Sequence, residues 1–104
     1  MSKEQLLIIQ VGLGGWGWSW TQVVLDSPHW DLAAIVDLNQ SLLDKACDYY
    51  RLNPNIAFKS LTDAIQNVQA DAALIVVPPD YHAEVAIEAL ENKLHCIVEK
   101  PLAG

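Results

Sequence analysis

The sequence predicts an α/β fold, a doubly wound parallel sheet with helices on both faces. Three observations point to it. Short, near-continuous apolar runs alternate with segments of helical period. The runs lack the polar alternation of half-exposed strands, as expected where both faces of a sheet are covered. The order reads strand, helix, strand, helix, strand, helix, strand, helix, strand, which implies right-handed crossovers. The expected strand order is 3-2-1-4-5, with a ligand crevice at the carboxyl ends between strands 1 and 4.

The elements follow in turn. Leu6-Leu7-Ile8-Ile9-Gln10-Val11 is the first strand. About Gly15 to Asp26 reads as a helix, with Trp16, Trp20, Val23 and Val24 at core spacing. Leu32-Ala33-Ala34-Ile35-Val36 is a second buried strand ending at Asp37. Ser41, with Asp44 three residues on, has the pattern of a capping box and opens a helix carrying Leu42, Leu43, Ala46, Cys47 and Tyr50. Asn53-Pro54-Asn55 breaks that helix. Ile56-Ala57-Phe58 is a short third strand. Ser60, with Asp63 at i+3, starts a helix with Leu61, Ala64, Ile65 and Val68 inward. Ala72–Val77 is a fourth strand closed by Pro78-Pro79. Asp80 is the expected cap of the next helix, whose stripe is Ala83, Ala86, Ile87 and Leu90. Leu94–Val98 is the fifth strand.

Composition narrows the function. With 13 acidic and 6 basic residues the net charge is −7, which argues against binding nucleic acid through phosphate contacts. At 52 % hydrophobic and 18 % charged residues the chain is not disordered, and 104 residues suit one domain. No apolar run approaches the 18 or more residues of a membrane span, and the start shows no secretion signal. Cys47 and Cys96 lack CxxC spacing. They read as two buried free thiols in a reducing cytoplasm rather than as a disulfide or metal pair.

Gly12-Leu13-Gly14-Gly15-Trp16-Gly17 fits G-x-G-x-x-G. A strand precedes it, a helix follows, and Asp37 ends the next strand about 20 residues on, so the context of a Rossmann-type phosphate turn is met. Gly12 permits the tight turn, Gly14 lets a pyrophosphate approach the backbone, and Gly17 lets the helix lie close to the strand. Free N–H groups at the helix start, helped by the helix dipole, suit a pyrophosphate. The plainer alternative is a strand-to-helix turn with no ligand. Asp37 is placed for a ribose diol, and Leu38-Asn39-Gln40-Ser41 holds no Arg or Lys to accommodate a 2′-phosphate. The cofactor expected is therefore NAD, with NADP disfavoured at least tenfold, about 1.4 kcal/mol. Trp16 lies inside the turn and is expected to cover the cofactor. Trp20 should pack on the sheet, and Trp18 should be exposed or cover another domain or subunit.

The glycine turn, Asp37, Val77-Pro78-Pro79-Asp80-Tyr81-His82 and Glu99-Lys100-Pro101 together resemble the cofactor domain of the glucose-fructose oxidoreductase/inositol dehydrogenase (Gfo/Idh/MocA) family, over essentially the whole chain. The resemblance implies hydride transfer between a nicotinamide and a secondary alcohol of a sugar or polyol. It implies that Val77, Pro78 and Pro79 line the adenine and ribose side, with His82 beside them, and that Glu99 borders the nicotinamide ribose. Lys100 is implied to assist proton transfer from the substrate hydroxyl. An amine beside a cationic nicotinamide is pushed towards a lower pKa, which suits that task. His29 and His95 show no partner pattern, and Glu84, Glu88 and Glu91 read as a solvated helix face.

Family members carry a second α/β domain of roughly twice this length that binds substrate and mediates assembly. The expectation from sequence is thus a partial Rossmann-type domain over 1–104, cut after the Glu-Lys-Pro tripeptide and lacking the last strands. Two readings follow. One is an NAD-dependent oxidoreductase that needs a second domain. The other is a dinucleotide-binding or interaction module without catalysis, because this length cannot close over a nicotinamide and exclude water. The apolar strand 94–98 is expected at an edge, where it would pair with a second copy as a homodimer or higher assembly.

Overall fold

The computed structural model describes residues 5–77 and 79–98. Its elements are β1 (Leu6–Val11), α1 (Trp16–Asp26), β2 (Trp30–Val36), α2 (Gln40–Tyr50), a 3₁₀ turn (Pro54–Ile56), β3 (Ala57–Phe58), α3 (Leu61–Asn67), β4 (Ala72–Ile75), α4 (Pro79–Glu91) and β5 (His95–Val98). They form one parallel sheet in the order β3-β2-β1-β4-β5, as the sequence predicts.

Both faces of the central strands are buried, which explains their unbroken apolar runs. Ile9 and Val11 of β1, Ala34 and Val36 of β2, and Ala73 and Ile75 of β4 meet Leu61 and Ala64 of α3 and Ala89 of α4. On the opposite face, Ile8 and Leu74 pack with Val24 and Trp20 of α1, while Ile35 packs with Leu13 and with Leu43 and Ala46 of α2. Each fully buried isoleucine or leucine contributes about 1.5–3 kcal/mol. A bulge reconciles the two faces of β2. Ile8 pairs with Leu32 but Ile9 pairs with Ala34, so Ala33 is the extra residue. Leu32 therefore joins the α1/α2 side and Ala34 the α3/α4 side.

Several boundaries depart from the sequence reading for identifiable reasons. The cap of α2 is Asn39 rather than Ser41. Its side chain accepts the N–H groups of Ser41 at 2.9 Å and Leu42 at 3.4 Å, which draws Ser41 into the first turn. Arg51 ends α2 in a left-handed conformation (φ 58°), before the Asn-Pro-Asn break. β2 begins at Trp30, two residues earlier than expected, where it pairs with Leu6. Ile56 belongs to the 3₁₀ turn, leaving β3 with two residues. β4 stops at Ile75 and β5 starts at His95. α4 opens with Pro79, where a missing N–H costs nothing, so Asp80 lies in the first turn instead of capping it. Ser60 caps α3 as expected, accepting the Asp63 N–H at 3.1 Å.

Burial on two helices also differs. α4 turns Val85, Ala86 and Ala89 to the sheet and leaves Ile87 and Leu90 exposed at 55 % and 61 %. Val23 is exposed, whereas Val24 is fully buried. Trp18 is half-buried, its ring tilted against those of Tyr49 and Tyr50 at centroid distances of 5.7 and 5.2 Å, because α2 ends beside α1. Tyr50 Oη donates to the Trp18 carbonyl at 2.7 Å. Cys47 and Cys96 are free and half-buried, not fully buried. Burial raises both thiol pKa values, and Asp44 adds to the rise at Cys47. His29 and His95 are exposed. No described helix is long and apolar enough to cross a membrane.

Candidate dinucleotide-binding site

Backbone hydrogen bonds bring the carboxyl ends of the strands together. Gly12 N–H donates to Val36 O at 2.8 Å, Val76 N–H to Val11 O at 2.8 Å, and Asp37 N–H to Phe58 O at 3.1 Å. The glycine turn rises from this edge. Gly12 has φ 106°, and a Cβ there would stand 2.3 Å from the Val76 carbonyl oxygen and 3.1 Å from Val77 Cγ1. Glycine is required at this position by conformation and by space. At Gly17 a Cβ would lie 2.3 Å from the Gly12 carbonyl oxygen. α1 is thus seated directly on the end of β1.

Gly14 and Gly15 differ from that pair. Both are exposed. Among the described residues and apart from chain neighbours, the nearest neighbour of a Cβ on Gly14 would be Leu42 Cδ1 at 3.8 Å, and on Gly15 none lies within 4 Å. Among the described residues, nothing crowds a side-chain carbon at these two positions. Gly15 occupies the cap position of α1 with φ 55° and ψ −119°, and among the described residues no side chain caps the helix. Among the described residues, no protein group accepts the Gly14 or Gly15 N–H. Exposed glycines, amides without a protein acceptor among the described residues and a helix start without a side-chain cap are what a bound pyrophosphate requires.

The Asp37 side chain faces the same turn. Its Oδ2 accepts the Leu13 N–H at 2.8 Å and its Oδ1 accepts the Asn39 N–H at 2.9 Å. Each oxygen keeps a second lone pair, so a diol can still be received. Beneath the turn lies Gln10, which the apolar pattern of β1 conceals. It is fully buried, and its Nε2 donates to the carbonyls of Gly12 at 3.0 Å and Gly17 at 2.7 Å. Thr21, also fully buried, donates its hydroxyl to the same Gly17 carbonyl at 3.2 Å.

The structure therefore brings Gly12, Leu13, Gly14, Gly15, Gly17, Asp37 and Val77 to one edge of the sheet. Trp16 starts α1, and Pro79 and His82 lie in the first two turns of α4, while the side chains of all three are outside the described part. Pro78, Glu99 and Lys100 lie outside the described residues, as does the Lys100-Pro101 bond. β5 pairs Val98 with Ile75 of β4 and so ends at the edge that bears the glycine turn. A cavity of about 380 Å³ opens at the opposite edge, lined by Leu7, Val68, Asp71 and Asn92 among others. The Asp71 carboxylate there is engaged by the Leu7 N–H at 2.8 Å, and the cavity is remote from the turn. Among the described residues no group of His, Cys, Asp and Glu is placed to hold a metal ion.

Fold and turn together define a dinucleotide-binding α/β domain. Residues 6–104 match the oxidoreductase family with an NAD-binding Rossmann fold, Gfo/Idh/MocA, and the chain belongs to that family. A glycosyl hydrolase family 109 protein of Shewanella baltica is 31 % identical over 100 residues, which are 89 % of this chain and 22 % of that protein. Among solved structures, scyllo-inositol dehydrogenase from Lactobacillus casei with bound NAD(H) and scyllo-inositol matches at 26 % identity and a TM-score of 0.77, over 91 % of this chain and 28 % of that one. The WlbA dehydrogenase from Bordetella pertussis, in complex with NADH and UDP-GlcNAcA, matches at 25 % identity and a TM-score of 0.83, over 99 % of this chain and 29 % of that one. The chain spans about a quarter of the length of the curated relatives it matches.

Proposed function

We propose that this chain binds NAD(H) in preference to NADP(H) and serves the oxidation or reduction of a secondary alcohol of a sugar or polyol. The observation that carries the cofactor preference is the Asp37 carboxylate, facing the glycine turn with no Arg or Lys in the Leu38–Ser41 segment that follows. A 2′-phosphate placed there meets a like charge, whereas a free diol finds two acceptors. The Gly14 and Gly15 N–H groups, without an acceptor among the described residues, fit a pyrophosphate. A bound nicotinamide supplies or accepts the hydride. The chain's own residues bind and orient it. The N–H groups between Gly12 and Gly17 take the pyrophosphate, Trp16 covers it, and Asp37 takes the ribose hydroxyls. Val77, Pro78, Pro79 and His82 flank the adenine and ribose side, and Glu99 borders the other ribose. Lys100 holds or moves the proton of the substrate hydroxyl. The polyhydroxylated ligands of two solved relatives, and the glycosyl hydrolase name of the Shewanella relative, support a sugar-like substrate.

The reading includes self-association through β5, which pairs only with β4 among the described residues and leaves Val98 exposed. It also places the chain in a reducing compartment, which suits two free thiols. Calorimetry with both cofactors tests the central preference. NAD should bind at least tenfold more tightly, about 1.4 kcal/mol. Equal or tighter binding of NADP overturns it. A monomer by light scattering at high concentration contradicts the association.

A further inference from the structure

A fully buried glutamine in the middle of an otherwise apolar strand costs free energy, because its amide must be stripped of water. Gln10 recovers only part of that cost. Its Nε2 is bonded to two carbonyls, but its Oε1 is buried with no partner among the described residues. The two acceptors are both carbonyl oxygens, which fixes the orientation of the amide. They are also not arbitrary. They belong to Gly12 and Gly17, the first and last glycines of the turn.

The consequence for the turn lies in one peptide plane. The carbonyl of the Gly12–Leu13 peptide is held from below by Gln10 at 3.0 Å, and its N–H is held by Asp37 at 2.8 Å. A trans peptide is rigid, so two bonds at opposite ends fix its tilt. The far end of the turn is held at the Gly17 carbonyl, where Gln10 at 2.7 Å and Thr21 at 3.2 Å converge. Both ends are fastened by the same side-chain nitrogen. The N–H groups of Gly14 and Gly15 lie between them and make no protein bond among the described residues.

We propose that Gln10 is a positioning residue for pyrophosphate recognition: one buried amide fixes both ends of the glycine turn and so aims the intervening N–H groups at the two phosphates. The inference rests on the dinucleotide reading above. Preorganising donors before binding raises affinity by removing an ordering cost, so the gain belongs only to ligands that use those donors.

The test compares the unsubstituted protein with Gln10→Met, titrated with NAD, ADP and adenosine. ADP carries the pyrophosphate and adenosine does not. Gln10→Met should weaken NAD and ADP by about tenfold and adenosine by less than about twofold. Equal weakening of all three, or none, overturns the positioning role. If the unsubstituted protein binds neither NAD nor ADP, the dinucleotide reading fails and the inference fails with it. A measurement without substitution guards against a variant that does not fold. The side-chain NH₂ resonances of Gln10 should shift when ADP saturates the protein and stay in place with adenosine. Resonances unmoved by ADP contradict the proposal.

Discussion

The carbonyl of Gly12 occupies the place that a side chain on Gly17 would need, at 2.3 Å from a Cβ built there. Gly17→Ala must therefore lift α1 from β1 or distort the turn. An overpacked contact of this kind costs about 1–3 kcal/mol. Urea denaturation should show that loss for Gly17→Ala. At Gly14, by contrast, the nearest atom to a new Cβ is 3.8 Å away. Gly14→Ala should leave stability within about 0.5 kcal/mol. Its methyl group stands where the pyrophosphate approaches, so NAD binding should weaken by about tenfold or more. A variant pair with the opposite pattern would show that the turn is built for packing alone.

Asp37 binds two backbone amides and is assigned the ribose diol, so Asp37→Ala has two separable effects. Loss of acceptors for Leu13 and Asn39 should lower stability by about 1–3 kcal/mol. Loss of the diol contact and of the negative charge should narrow the gap between NAD and NADP to less than about threefold. Calorimetry on both cofactors reads the second effect, and thermal denaturation the first.

Asn39 and Ser41 make a clean comparison, because the structure assigns the cap of α2 to the former. Asn39→Ala should cost about 1 kcal/mol in a urea titration, and Ser41→Ala no more than about 0.5 kcal/mol. A larger loss at Ser41 would restore the capping-box reading.

Alkaline pH should destabilise the fold. Burial raises the pKa of Cys47, Cys96 and Tyr50, with Asp44 adding to the rise at Cys47 and Tyr49 to that at Tyr50. A group whose pKa is higher in the folded chain stabilises it while protonated. That contribution is whole below the ordinary thiol and phenol values, about 8.5 and 10, and is lost as the pH climbs through the raised ones. Tyr50 adds a geometric reason, since only the protonated phenol donates to Trp18 O. The urea midpoint should be flat from about pH 7 to 8 and fall above about pH 9. The Cys47→Val/Cys96→Val pair should reduce the fall, and an unchanged fall would remove the thiols from the account.

Sequence period was sufficient where a strand is apolar on both faces and bounded by a glycine or proline turn. That is why β1, the turn, Asp37 and the strand order were legible. It failed where the deciding contact is not periodic. The bulge at Ala33 exchanges the faces of β2, and no run of five apolar residues announces it. α4 carries alanine and larger apolar residues on adjoining faces, and close packing on the sheet selected Ala86 and Ala89 over Ile87 and Leu90. The Asn39 cap competes with a Ser41 pattern that is equally good on paper. The apolar pattern does not announce Gln10, because one amide hardly alters an apolar run. The signal was present all the same, since a polar residue in a strand buried on both faces needs a partner, and the glycine turn was the nearest supply of carbonyls.

The most direct measurement is an amide-resolved NMR titration with NAD. Saturable shifts should centre on the N–H groups of Gly14 and Gly15 and extend to Leu13, whose amide is shared with Asp37. Shifts confined to the Asp71 cavity at the opposite edge, or no saturable shift at all, would contradict a pyrophosphate site at the start of α1.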